Sequence, residues 1–169
     1  MTGLPSNSAL RRPDFNRLLA FQVYDGPTSG VVFDKDTDEP FYFSLQAWDE
    51  NQECRVFALS RLDKAAVERA IAALSALVQP RWPEWWLQLA EGAEQREQIE
   101  RHVESIATAA PEAEAIVLTK DLLRGADLFR PLLGAIPRSE FAKLSRRTHS
   151  AQEVADSPYI EWLHFLHDT

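Results

Sequence analysis

The chain has 169 residues, 45% of them hydrophobic, and carries 18 lysines and arginines against 26 aspartates and glutamates, a formal net charge of −8. That length and apolar content suit one compact domain with its own core, and they exclude a wholly disordered chain and a collagen-like repeat. The single cysteine, Cys54, excludes a disulfide scaffold, and the acid excess argues against a nucleic-acid backbone as partner.

No apolar run approaches the ~20 residues of a membrane span. The N-terminus lacks a basic residue followed by an apolar run, so no secretory signal is expected and the chain reads as cytoplasmic. Residues 1–16 hold Pro5, Pro13 and several polar residues without a period, and they read as a loose lead-in. Residues 17–169 read as a single α+β domain, strands over 17–60 and helices over 61–169.

Strand periodicity begins at Leu18. Leu19, Phe21 and Val23 alternate onto one face. Asp25-Gly26-Pro27-Thr28-Ser29-Gly30 is dense in turn formers and reverses the chain. Val31-Val32-Phe33 is a short second strand. Phe41 to Trp48 alternates well: Phe41, Phe43, Leu45 and Ala47 lie on one face, and Tyr42, Ser44, Gln46 and Trp48 on the other. Arg55 to Leu59 is a fourth strand. Short connections make the four an antiparallel meander.

The period then becomes helical. Val67, Ile71, Leu74 and Val78 form one stripe, with Asp63 placed to cap it and Pro80 to stop it. Pro83 suits a first helical turn, which predicts a short helix carrying Trp85, Trp86 and Leu89 and ending at Gly92. Adjacent tryptophans on a helix point apart, so one is expected in the core and the other nearer solvent. Ile99, Val103 and Ile106 mark a further helix before Pro111. Ala115-Ile116-Val117-Leu118 fits a strand or a helix start equally. From Thr119 onward the pattern is helical, broken by Gly125, Pro131, Gly134 and Pro137. Ser139 is placed to cap a helix with Phe141 and Leu144, and Ser157-Pro158 opens a last one with Tyr159, Leu163 and Leu166. The fold class is therefore α+β: an N-terminal antiparallel meander of about four strands packed against C-terminal helices.

Several groups are candidates for chemistry, each with a plainer reading. Asp34, Asp36 and Asp38 match the first half of a calcium loop, but Glu39 stands where glycine is needed and Leu45 where the bidentate glutamate belongs. A solvated hairpin connection is the simpler account. Glu161, His164 and His167 recur every three residues and could converge on a metal, though no second Glu-x-x-His unit accompanies them. Trp82, Trp85 and Trp86 form a cluster suited to partner contact or to aromatic packing. The turn with Asp25, Thr28 and Ser29 offers a carboxylate and two hydroxyls beside glycines. Tyr42 and Trp48 face a mixed polar and aromatic surface. The basic run Arg138, Lys143, Arg146 and Arg147 reads as a solvated face.

No reaction signature and no cofactor motif stands out. The leading expectation is a non-enzymatic, acidic interaction module, suited to a basic protein partner as immunity- or antitoxin-type inhibitors are, or to self-association. The alternative is a small-molecule-binding domain or small enzyme with its pocket between the sheet and the tryptophan-rich helix.

Overall fold

The computed structural model describes residues 14–49, 54–79, 84–111, 113–124 and 128–131. Trp82, the run 138–147, the helices expected after Ser139 and Ser157, and Glu161, His164 and His167 lie outside these residues. The protein is α+β. β1 (Phe15–Val23), β2 (Pro27–Asp34), β3 (Pro40–Asp49) and β4 (Cys54–Arg61) form the antiparallel meander. α1 (Lys64–Leu77), β5 (Glu84–Trp85), α2 (Ala93–Ala109), β6 (Ala115–Thr119) and β7 (Leu128–Pro131) follow. The strands form one sheet in the order β5-β1-β2-β3-β4-β6-β7, with β5 parallel to β1 and the other pairs antiparallel.

The helices pack on one face of the sheet. Asp63 caps α1 by accepting the Ala66 N–H at 2.8 Å. Val67 and Leu74 of α1 and Ile99 and Ile106 of α2 are buried in one cluster with Leu19 and Phe21 of β1, Val31 and Phe33 of β2, and Tyr42 of β3. The opposite face is equally apolar. Phe15, Leu18, Val32, Phe43, Leu45, Phe57 and Val117 form its cluster, together with Leu122 from a 3₁₀ turn that follows β6.

That second face is closed by curling. β1 and β6 are four strand positions apart, which is about 19 Å in a flat sheet at ~4.8 Å per step. Yet the turn Leu122–Arg124 contacts β1, so the sheet wraps around its own inner face. Its bulges supply the bend. Phe21 is an extra residue between the pairs Ala20↔Gly30 and Gln22↔Ser29, and Gln46 is one between Leu45↔Phe57 and Ala47↔Val56. Gly30 makes the tight approach possible: a Cβ there would strike the Leu19 carbonyl and stand 2.9 Å from the Phe43 ring.

The same bulges reverse two expected alternations. Val23 packs with the inner face rather than with Leu19 and Phe21, and Trp48 packs there too, away from Tyr42. Two further expectations give way. The segment around Trp85 is a two-residue strand and then a 3₁₀ turn, Trp86–Leu89, not a helix, and Gly92 precedes α2 instead of ending a helix. β5 pairs Glu84 with Leu19 and Trp85 with Ala20; Trp85 lines a cleft on the inner face, whereas Trp86, the first residue of the 3₁₀ turn, lies in the helix-side cluster. Leu128–Pro131 adds an edge strand to β6 where a helical pattern was expected. Edge position suits a strand that ends in proline.

Trp86 is 0% exposed in the helix-side core, with its indole N–H unpartnered, whereas Trp85 is 37% exposed. Trp86→Ala is expected to cost about 3–5 kcal/mol. Trp86→Phe keeps a ring and removes the orphaned donor, and should cost well under half of that. Trp85→Ala should cost less than about 1 kcal/mol. Urea unfolding of the three variants checks the ranking.

Candidate functional site

A cleft of about 350 Å³ opens at one end of the inner face. Its floor is apolar: Leu18 of β1, Phe57 of β4, and Leu122 and Leu123 from the 3₁₀ turn. Its walls are the β1–β2 turn with Asp25, Gly26 and Pro27, Arg55 at the start of β4, Trp85 of β5, and Lys120 and Asp121 after β6. Residues of β1, β2, β4 and β5 thus contribute, with the segment that follows β6, and the curl of the sheet brings them together.

Arg55 organises this end. It lies on the inward side of β4, in period with Phe57 and Leu59. The guanidinium sits 5.1 Å from the Trp48 ring, and its side chain is only 14% exposed. One Nη2 N–H donates to the Asp25 carbonyl, 30 residues away in sequence. The Asp25 carboxylate stands 3.9 Å off, a loose ion pair. Burial lowers the pKa of Arg55, and the nearby Asp25 charge offsets part of that shift.

The turn is shaped to receive the guanidinium. Asp25 adopts φ 47° and Gly26 φ 118°, and the Tyr24 N–H donates to the Gly26 carbonyl at 2.8 Å. A Cβ on Gly26 would overlap Arg55 Nη1. On the far wall, Thr119 Oγ1 donates to the Asp121 carbonyl at 2.9 Å and accepts the Asp121 N–H at 3.0 Å, which fixes the bend that carries Lys120 and Asp121. Trp85 presents its exposed ring at the rim. Glu84 beside it is half-buried, and desolvation raises its pKa against the opposing effect of Arg17. Arg17 lies over the Phe33 ring at 3.7 Å on the helix side.

Of the residues the sequence singled out, Asp25 and Trp85 meet at this cleft. Thr28 is partly exposed in β2. Ser29 is buried on the helix side, where its hydroxyl donates to Gln22 Oε1 at 3.3 Å. Tyr42 is buried on that same side, and Trp48 is partly buried on the inner one. Tyr42 and Trp48 therefore pack on opposite faces of the sheet, and Trp86 is core. The calcium-like loop is occupied with its own turn: Asp34 Oδ1 accepts from the Asp36 and Thr37 N–H groups, each at 3.0 Å, and Asp38 pairs with Lys64 at 2.8 Å. Among the described residues, no group of three or more His, Cys, Asp or Glu is placed to hold a metal.

Sequence reasoning missed Arg55, Lys120, Asp121 and the floor. One signal was available. Arg55 alternates with Phe57 and Leu59, and a charge on the apolar phase of a buried strand marks a site of interest. The closing partner, Asp25, is set by the curl and has no local signature.

Two measurements check this geometry. Gly26→Ala forces a side chain into a positive-φ position already filled by Arg55, and should cost about 1–3 kcal/mol in urea unfolding. Burial raises the pKa of Tyr42 to about 12, although a hydrogen bond with Ser29 opposes the shift. An unfolded tyrosine ionises near 10, so this contribution is complete below pH 10 and is lost as pH rises toward 12. Over that interval, wild-type stability should fall by about 1.4 kcal/mol per pH unit more than Tyr42→Phe does. Compared with known proteins, the chain matches no protein-family model, no curated protein and no solved structure, so the site is read from its own geometry.

Proposed function

We propose that the protein is a binding domain that takes a small organic molecule in the cleft between the β1–β2 turn, β4, β5 and the bend after β6. The observation that carries this is the cleft itself: about 350 Å³, apolar below and charged at the rim. That is the usual division of labour in a ligand site, where apolar contact supplies affinity and a few polar groups set orientation. The described walls hold Asp25, Arg55, Lys120 and Asp121, charged groups able to orient a bound molecule.

A second reading, contact with a protein partner, is favoured by one observation. Tyr24 is 55% exposed and Trp85 37%, and both lie at this end of the sheet. Such residues often anchor interfaces. A partner seated there would cover the mouth of the cleft. Among the described residues no helix is long and apolar enough to cross a membrane.

A thermal-shift screen of small metabolites tests the first reading. Ligands at 100 times their Kd should stabilise the protein by about 2.7 kcal/mol. Leu123→Trp, which places an indole in the cleft, should abolish the shift. A screen with no hit sensitive to Leu123→Trp would refute it.

A further inference from the structure

The ligand-binding reading leaves open what the cleft selects, and Arg55 answers it. A guanidinium carries five N–H donors in a planar fork. Arg55 gives one to the Asp25 carbonyl. The Asp25 carboxylate, at 3.9 Å, is beyond hydrogen-bonding distance, and no other acceptor for Arg55 is found among the described residues. The group is nonetheless largely withdrawn from water, with 14% of its side chain exposed. A charge that has lost hydration and gained only part of a counter-ion gains most from an anion delivered to its open edge.

The surroundings restrict that anion. Two cations, Arg55 and Lys120, share the walls with two carboxylates, Asp25 and Asp121, in a protein of net charge −8. A dianionic phosphate there is opposed by both carboxylates. A single carboxylate matches the fork in charge and in shape. Behind it, the apolar floor and the exposed Trp85 ring favour a flat, apolar body, because indole stacks on planar rings.

We propose that the cleft takes a small monocarboxylate on a flat apolar ring, held by Arg55 and stacked on Trp85, with the Asp25 carboxylate as its built-in competitor. This rests on the ligand-binding reading of the same cleft. Asp25 stays loosely associated with Arg55 when the cleft is empty and yields that position to the ligand's carboxylate. Its backbone carbonyl keeps the guanidinium in place throughout, so the fork is oriented before the ligand arrives.

Titration calorimetry with three probes sharing one ring tests this: indole-3-acetate, indole-3-acetamide and tryptamine. The acid should bind the wild-type protein at least about tenfold more tightly than the amide or the amine, the return expected from a charge-assisted pair. Arg55→Gln should remove that margin and leave the amide within about twofold of its wild-type affinity. Asp25→Asn keeps the backbone carbonyl and removes the competing charge, so it should strengthen the acid by several-fold and leave the amide unchanged. This variant decides the matter if Arg55→Gln does not fold. An amide or amine that binds as tightly as the acid, in a manner abolished by Leu123→Trp, overturns the carboxylate assignment and leaves the cleft a ligand site. Failure of all three probes also overturns the assignment, while the metabolite screen judges the broader reading independently. An Asp25→Asn variant that weakens the acid overturns the competitor role.

Discussion

Curling of the sheet is the constraint on which the other features depend. One face is covered by α1 and α2, as expected of a helix pair beside a meander. The other carries Phe15, Leu18, Phe43, Phe57 and Val117, too much apolar surface to leave wet. Wrapping brings the first strand against the turn that follows β6, so the inner side chains cover one another. Extra residues at Phe21 and Gln46 and the bare Cα of Gly30 make the bend sterically possible. The cleft is where the wrapped walls fail to meet.

The bend has a cost in polar accounting. Gln46, at the β3 bulge, is 2% exposed and donates through Nε2 to Ser44 Oγ at 2.7 Å, but its Oε1 has no partner. Arg17 Nε is likewise buried without an acceptor, with its guanidinium resting on the Phe33 ring. Each such atom costs about 1–3 kcal/mol. The inner cluster offsets this, since each fully buried large apolar side chain returns about 1.5–3 kcal/mol. Ion pairs such as Arg61 with Glu39 and Glu114 are exposed enough that their contribution is minor.

Much of the fold was legible in the sequence because it rests on local period. The alternation from Phe41 to Leu45 and the stripe through Val67 and Leu74 place those side chains in the faces where they are found. The bulges were not legible. Gln46 is polar on a polar phase, and nothing nearby announces that the register slips there, so Trp48 was assigned to the wrong face. β5 is two residues long and exists because β1 is available to pair with it, a reason foreign to any window around Trp85. Leu128–Pro131 is likewise a strand through its neighbour, β6. The cleft was half visible: Asp25 and Trp85 stood out as a turn carboxylate and an aromatic cluster, whereas the pairing of Asp25 with Arg55 is a product of the wrap.

Trp85 and Trp86 are consecutive, yet one faces the cleft and the other is sealed in the helix-side core. A single peptide bond thus joins the ring at the rim to the ring packed in the cluster beneath α1 and α2. By thermodynamic reciprocity, whatever free energy a change at the rim transmits to the seat of Trp86 is returned in equal measure by a change beneath the helices.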